Sequence, residues 1–182
     1  SPAVFTALIL QAGVWPGIPM LLCAAKPEVA EALTSGRYGR LPVHTTMAEG
    51  RAVVAAGRGG PPAMVDRLLP TTAAARHARM MATEACTRWS LPDLIGPACL
   101  IASELVTNAA EHAGTIMTLR ISRRPRYLHL AVRDGSPVEP KLHRPELTEP
   151  GGRGLLLVDS VAVRWGAMPC RDGKVVWATL AA

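Results

Sequence analysis

The chain has few aromatic residues, few lysines and no long run of basic residues. Phe, Trp and Tyr make up 4% of its 182 residues, and 17 of its 20 basic residues are arginine. The net charge of +6 would suit a nucleic-acid partner. However, the longest basic run is the pair Arg123-Arg124, and aromatic residues do not interleave with the arginines. We therefore expect a solvated basic surface, with some positions facing phosphate, and no direct contact with nucleic acid.

Cysteine is also scarce, and its spacing is not that of a metal site. The four cysteines form no C-x-x-C pair and stand beside apolar or small residues: Cys23, Cys86, Cys99 and Cys170. Zinc sites and disulfide frameworks depend on characteristic cysteine spacings, so neither gains support. We expect buried, reduced thiols in a cytoplasmic protein.

An uninterrupted apolar run of membrane-spanning length is missing as well. Residues 1–25 carry no charge, but five residues interrupt them: Gln11, Gly13, Pro16, Gly17 and Pro19. A spanning helix needs about 20 apolar residues in succession. A secretory signal would need a basic stretch ahead of its apolar core, and none is present. The sequence therefore predicts no membrane partner and a cytoplasmic location.

Glycine and proline concentrate at residues 57–62, where Gly-Arg-Gly-Gly-Pro-Pro can continue neither a helix nor a strand. We take residues 58–62 as a linker between a segment at 1–57 and a domain at 63–182. The residue pattern of the first segment predicts alternating helices and strands, which is the order of a parallel α/β fragment. These elements are Pro2–Ala12, Ile18–Ala24, Glu28–Thr34, Leu41–Thr45 and Met47–Ala56.

The second segment begins with one predicted strand and two long helices. Thr71 or Thr72 can cap a helix that runs to Trp89. Asp93 can cap the next helix, at 94–113, and a glycine at 114 can end it.

The rest of the second segment is rich in β-forming residues. Asp172-Gly173 indicates a hairpin between the last two strands. We predict an α+β fold, a two-layer sandwich in which helices cover a mixed, mostly antiparallel sheet. Its predicted strands are Met64–Leu69, Thr115–Ser122, Tyr127–Asp134, Val163–Met168 and Lys174–Leu180, with a short helix at Leu155–Ser160.

One face of the helix at 94–113 is polar. Glu104, Asn108, Glu111 and His112 fall at i, i+4, i+7 and i+8, so they share a side of the helix. An ordinary solvated face is one interpretation. A helical zinc site of the H-E-x-x-H type is excluded, because the helix has no pair of histidines four residues apart. A third interpretation, a nucleotide site, depends on two further motifs.

The first further motif is Asp134 with Gly135, at the end of an alternating strand. An ionised carboxylate only accepts hydrogen bonds, so Asp134 could accept one from the amino group of adenine. An aspartate that ends a strand in a turn is the alternative. The second motif is the run Gly151-Gly152-Arg153-Gly154 before a helix. Free backbone N–H groups and a helix N-terminus favour phosphate, and Arg153 adds a charged donor.

Together and in this order, the three motifs resemble the N, G1 and G2 boxes of the histidine-kinase-like ATPases. The closest wording is that of the bacterial anti-sigma factor, serine-kinase branch, and the resemblance covers residues 63–182. The matching stretches are Glu104-Leu-Val-Thr-Asn108-Ala-Ala-Glu-His112-Ala, Gly152-Arg-Gly-Leu-Leu-Leu-Val158, Arg164-Trp165-Gly166 and Gly173-Lys-Val-Val-Trp177.

The resemblance implies ATP and Mg²⁺ as cofactors and a role for each matching residue. It makes Asn108 the Mg²⁺ ligand and Glu104 the general base for an attacking hydroxyl. It makes Asp134 the adenine-binding residue. The other residues that it places around the nucleotide are Gly135, Gly152, Arg153, Gly154 and His112. Two positions depart from the pattern, Ser136 where the family has glycine and Glu111 where sensor kinases often have a basic residue.

The first segment has a resemblance of its own. Pro19-Met-Leu-Leu-Cys-Ala-Ala, Pro27-Glu-Val and Leu33-Thr-Ser-Gly36 resemble the C-terminal half of a STAS domain, the fold of anti-sigma factor antagonists. Two strands are too few to cover both faces of a parallel sheet. Either the missing half precedes residue 1, or another surface covers the exposed edge.

These resemblances lead to three functional hypotheses. The first is an ATP-dependent serine/threonine kinase that also binds a sigma factor or an anti-sigma factor antagonist, in a partner-switching system that controls transcription. A homodimer is compatible with it. The second is a non-catalytic, ATP-dependent protein-binding module. The third is a basic nucleic-acid-binding protein with a coincidental glycine-rich loop.

Overall fold

The computed structural model describes residues 12–15, 20–34, 42–56, 60–140 and 153–182. They belong to two units, the first ending at Pro61 and the second running from Pro62 to Ala182. The predicted helix Pro2–Ala12 lies outside the described residues, apart from its last residue.

The first unit contains two short strands that pair in parallel. Leu22–Cys23 (β1) lies beside Val43–His44 (β2), and the helix Pro27–Thr34 (α1) separates them in the chain. Both strands are shorter than predicted. The parallel pairing with an intervening helix is the α/β connection that the order of elements predicts.

The helix Met47–Ala55 (α2) completes the described part of the first unit. Thr46 caps it in a capping box: its hydroxyl accepts the Glu49 N–H at 3.2 Å, and the Glu49 carboxylate accepts the Thr46 N–H at 3.3 Å. Gly50 of α2 faces the thiol of Cys23 so closely that a Cβ would collide with it. A glycine at this position therefore lets α2 approach β1.

The described residues of the second unit form five strands and three α-helices. In chain order they are Ala63–Leu68 (β3), Ala74–Arg88 (α3), Ile95–His112 (α4), Met117–Arg123 (β4), Tyr127–Asp134 (β5), Gly154–Val161 (α5), Arg164–Cys170 (β6) and Gly173–Ala181 (β7). A 3₁₀ turn at Pro92–Leu94 leads into α4.

The five strands form one sheet in the order β3-β4-β5-β7-β6. All four neighbouring pairs are antiparallel, so the expectation of a mixed sheet was wrong in that detail. Hairpin connections require this direction for β4–β5 and β6–β7, whereas β3–β4 and β5–β7 pair antiparallel across longer connections. The α+β sandwich itself is confirmed.

The core lies between one face of this sheet and the helices. Leu128, Leu130 and Val132 of β5 point into it at alternate positions, each with at most 1% of its surface exposed. Small side chains let α3 and α4 pack closely, and seven buried alanines supply them: Ala74, Ala78, Ala82, Ala85, Ala98, Ala102 and Ala109. The small aliphatic side chains that dominate the composition thus bring the helices together.

The predicted N-caps of the two long helices were wrong. Ala73 occupies the cap position of α3, and the Thr71 carbonyl, rather than a threonine hydroxyl, accepts the Ala74 N–H at 3.0 Å. Asp93 lies inside the 3₁₀ turn, which continues directly into α4, so Leu94 is the cap residue. In both cases a backbone turn satisfies N–H groups that a polar side chain would otherwise bind.

The predictions made from Gly114 and Gly173 are confirmed. Gly114 follows the last turn of α4 with φ of +60°, and its N–H donates to the Ala109 carbonyl at 3.3 Å. A two-residue turn joins β6 to β7, which confirms the predicted hairpin. Gly173, the first residue of β7, has φ of +139°.

Candidate functional site

The polar face of α4 carries two half-buried groups one helical turn apart. Leu105 and Val106 anchor the helix, with at most 1% of each exposed, and thereby turn Glu104 and Asn108 away from the core. Glu111 and His112 lie on the last turn of α4 and are exposed. The helix therefore presents Glu104 and Asn108 at a partly sheltered position and His112 at its open end.

The environment of Glu104 favours its neutral form. Partial burial raises the pKa of the Glu104 carboxyl, and the negative charge of Glu111 raises it further. A carboxylate with a raised pKa is a better proton acceptor than an ordinary exposed one. The site thus contains a group suited to general-base chemistry.

The N-terminus of α5 lies directly against this face. A Cβ on Gly154 would collide with the Glu104 carboxylate and would stand 3.5 Å from the Asn108 amide oxygen. Only glycine leaves this space open. Arg153 is exposed immediately before α5, and its carbonyl accepts the Leu157 N–H at 3.0 Å. Gly152, the other glycine expected here, lies outside the described residues.

Asp134 ends β5 as a buried carboxylate with one oxygen in use and one oxygen free. The residue is 2% exposed. Its Oδ1 accepts hydrogen bonds from the Ser136 N–H at 2.8 Å and from the Lys174 ammonium at 3.0 Å. Its Oδ2 is buried and has no hydrogen-bond partner among the residues that the structure describes. A buried acceptor without a donor is costly, so this oxygen is suited to a ligand donor.

Gly135 continues the chain at the edge of the same site. Its N–H donates to the Thr115 hydroxyl at 2.9 Å, and the residue is exposed. This bond joins the end of β5 to the loop that follows α4. The turn after Asp134 is therefore held by hydrogen bonds on both sides of the carboxylate.

The structure places the predicted residues in two groups. Glu104, Asn108 and Gly154 are in direct proximity, whereas Asp134 and Gly135 lie at the end of β5, a strand that packs against α4. Lys174 was missed. It pairs with Asp134 across the β5–β7 ladder, 40 residues away in the chain. In the sequence, Lys174 stands within the stretch Gly173-Lys-Val-Val-Trp177 that resembles the family, but that resemblance implies no role for it.

The residues present fit a magnesium ion held mainly by a ligand. In the described part of the chain, no group of three His, Cys, Asp or Glu side chains could hold a metal ion. Asn108 offers one amide oxygen at the site, and its Nδ2 is buried without a partner. Mg²⁺ is usually bound through one or two protein oxygens together with phosphates and water. The donor set therefore suits a metal that arrives with a nucleotide.

No helix in the described ranges is long and apolar enough to cross a membrane.

Comparison with known proteins points to the same region of the chain. A family model described as a histidine kinase-like ATPase domain matches residues 68–179, which is more than half of the sequence. The match includes α4, the end of β5, α5 and Lys174. No curated protein shows significant similarity to the chain.

Proposed function

Because the chain belongs to the histidine kinase-like ATPase domain family, we propose that its second unit binds ATP together with Mg²⁺. The family supports a nucleotide ligand. The adenine base, the phosphates and the metal each have a group of suitable chemistry among the residues described above.

The observation that carries the proposal is the free, buried Oδ2 of Asp134. Burial excludes water, so the oxygen lacks the donors that would otherwise satisfy it. The amino group of adenine is a donor, and a carboxylate oxygen is its complement. Ser136 and Lys174 hold the other oxygen and thereby fix the orientation of the carboxylate. Asp134 is thus preorganised for one additional hydrogen bond.

The metal and the phosphates are assigned to α4 and the start of α5. The Asn108 oxygen would hold Mg²⁺, which supplies positive charge against the phosphate oxygens. The backbone around Gly154 begins a helix, where free N–H groups favour anions. Arg153 would add a charged donor, and Gly152 belongs to the same loop. His112, exposed at the end of α4, is assigned to the rim.

We extend the proposal to phosphoryl transfer, with Glu104 as the general base. Its raised pKa suits a group that takes the proton of an attacking serine or threonine hydroxyl as the new bond to the γ-phosphorus forms, while the bond from that phosphorus to the β-phosphate oxygen breaks and ADP leaves. Gly154 leaves space beside the carboxylate. The wording around Glu104 and Asn108 resembles that of anti-sigma factor kinases, which supports a protein as the acceptor.

The partner in this proposal is a sigma factor or an anti-sigma factor antagonist. The STAS-like wording of residues 1–57 supports it, since both segments then resemble parts of one partner-switching system. A homodimer is compatible with that system.

A non-catalytic nucleotide-binding module is the second candidate. It is favoured by Glu111, whose negative charge acts on Glu104 at the place where phosphate would lie. In this version the nucleotide shapes a protein-binding surface and no phosphate moves.

Labelled ATP separates the two candidates. The full chain is incubated with ATP labelled on the γ-phosphate and with candidate antagonist proteins, and Glu104→Gln is tested beside it. The kinase predicts label on the antagonist with the wild type and at least a hundredfold loss in the variant, whose ATP affinity is retained. Equal transfer by the variant would contradict the role of Glu104. ATP binding with no transfer to any acceptor would favour the non-catalytic module.

A further inference from the structure

Lys174 is an unusual neighbour for a base-binding carboxylate. Its side chain is 7% exposed, and the ammonium lies 3.0 Å from Asp134 Oδ1 and 3.3 Å from the Ser136 carbonyl. Lysine is almost never so fully buried unless it is paired. The contact with Asp134 is therefore a fixed part of the site.

The fold holds Lys174 in this place. Lys174 lies directly opposite Asp134 in the β5–β7 ladder. Gly173, just before it, contacts the Asp134 backbone so closely that a Cβ would collide with the Asp134 carbonyl oxygen and stand 2.8 Å from Gly135 Cα. The β6–β7 hairpin therefore places the start of β7 in close contact with the end of β5, and this contact keeps Lys174 beside Asp134.

Because of this ion pair, the two oxygens of the Asp134 carboxylate differ in the number of hydrogen bonds that they accept. Oδ1 already accepts two hydrogen bonds, from Ser136 and Lys174, whereas Oδ2 accepts none. An ammonium group has three N–H donors, and the two contacts described above use two of them. A base that enters this site therefore meets one free acceptor oxygen with a positively charged donor beside it.

Adenine and guanine differ in what they offer to such a site. Adenine carries one amino donor next to a ring-nitrogen acceptor, which complements one free carboxylate oxygen and a neighbouring ammonium. Guanine carries two adjacent donors on the same edge, a ring N–H and an amino group, and these suit a carboxylate with both oxygens free. A polar site rejects a ligand most strongly when it leaves buried groups unpaired.

We propose that Lys174 is a base-specificity residue, which occupies Oδ1 of Asp134 and thereby makes the site selective for adenine over guanine nucleotides. The inference rests on the proposed nucleotide-binding function and names its substrate class. Lys174 acts on the base through Asp134, whose Oδ1 it occupies.

The test compares the affinities of the full chain for MgATP and MgGTP by calorimetry. Lys174→Met removes the ammonium and leaves Oδ1 with one hydrogen bond, from the Ser136 N–H. We expect ATP binding to weaken and the ratio of the two affinities to fall by about tenfold, the equivalent of one hydrogen bond to a charged group. Lys174→Gln can still donate to Oδ1, so its ratio should remain closer to that of the wild type. Lys26→Met, an exposed lysine of the first unit, controls for the loss of one positive charge.

The outcomes separate this inference from the proposed function. If the wild type binds neither nucleotide at millimolar concentration, the proposed function fails and the inference fails with it. If the wild type binds ATP and a folded Lys174→Met has an unchanged ratio, only the inference is overturned. A wild type that does not prefer ATP to GTP also overturns the inference, whether or not Lys174→Met folds.

Discussion

At the scale of single residues, His129 on β5 is a buried imidazole with no hydrogen-bond partner. It is 4% exposed, its two ring nitrogens are unsatisfied, and its ring stacks on Trp177 with centroids 6.0 Å apart. Burial lowers the pKa of His129 to about 4, and the charges of Arg124 and Arg120 act in the same direction. The folded protein therefore holds this ring in its neutral form at neutral pH.

This pKa predicts an acid-sensitive contribution to stability. The unfolded chain binds a proton at His129 near the ordinary value of 6.5, and the folded chain binds it only near 4. The stabilisation is therefore complete above pH 6.5 and is lost as the pH falls toward 4. In His129→Phe the stacking ring remains but cannot titrate. Denaturant unfolding at neutral pH and near pH 4 should show that the wild type loses about 3 kcal/mol more than the variant.

The exposed His112 provides the comparison for this measurement. His112→Phe replaces an exposed imidazole and should lose stability between the two pH values as the wild type does. An identical pH dependence in wild type and His129→Phe would show that His129 is not held neutral by the fold.

Among the site residues, those on one helix could be predicted and those paired across strands could not. Glu104 and Asn108 lie four residues apart, and helical geometry alone places them side by side. Lys174 reaches Asp134 only through the β5–β7 register. No local pattern contains that register, because strand pairing over long distances depends on the whole sheet.

At the scale of elements, the close contact between α5 and α4 predicts opposite effects for two glycine substitutions. Gly154→Ala places a methyl group against the Glu104 carboxylate, whereas Gly96→Ala on α4 meets nothing within 4 Å. We expect Gly154→Ala to displace the Glu104 carboxylate or the start of α5, to lower stability by about 0.5–1.5 kcal/mol and to weaken ATP binding. Gly96→Ala should raise stability by up to about 1 kcal/mol, because alanine is the better helix former.

Denaturant unfolding and calorimetric ATP titration measure both effects in the same samples. Gly96→Ala should bind ATP like the wild type, since it changes an exposed position away from the site. If Gly154→Ala has the stability and the ATP affinity of Gly96→Ala, then the start of α5 does not close against Glu104.

The elements themselves were largely predictable, and their ends were less so. Alternating apolar residues predicted the bounds of β5, Tyr127–Asp134, and the structure has the same bounds. The helix predicted at 94–113 is one residue shorter at each end in the structure. The caps failed at Thr71, Thr72 and Asp93, because backbone turns replaced the side-chain bonds. Polar residues near a helix start permit capping but do not require it.

At the scale of the whole molecule, the division near residues 58–62 coincides with the boundary between the two units at Pro61 and Pro62. Glycine and proline mark such a break directly in the sequence. The order of the five strands was not predictable. β7 inserts between β5 and β6, which brings Lys174 to Asp134, and only the assembled sheet shows this arrangement.

At this scale we propose that residues from α4, β5, α5 and β7 of the second unit form one site for ATP and Mg²⁺. Calorimetric titration of the full chain with ATP, with and without Mg²⁺, is the direct test of this site. We predict saturable binding that Mg²⁺ strengthens. Asp134→Ala should abolish it, and Asn108→Ala should remove the Mg²⁺ dependence. No binding at millimolar ATP would show that the chain is not an ATP-binding protein. Unchanged binding by Asp134→Ala would show that Asp134 does not bind the base.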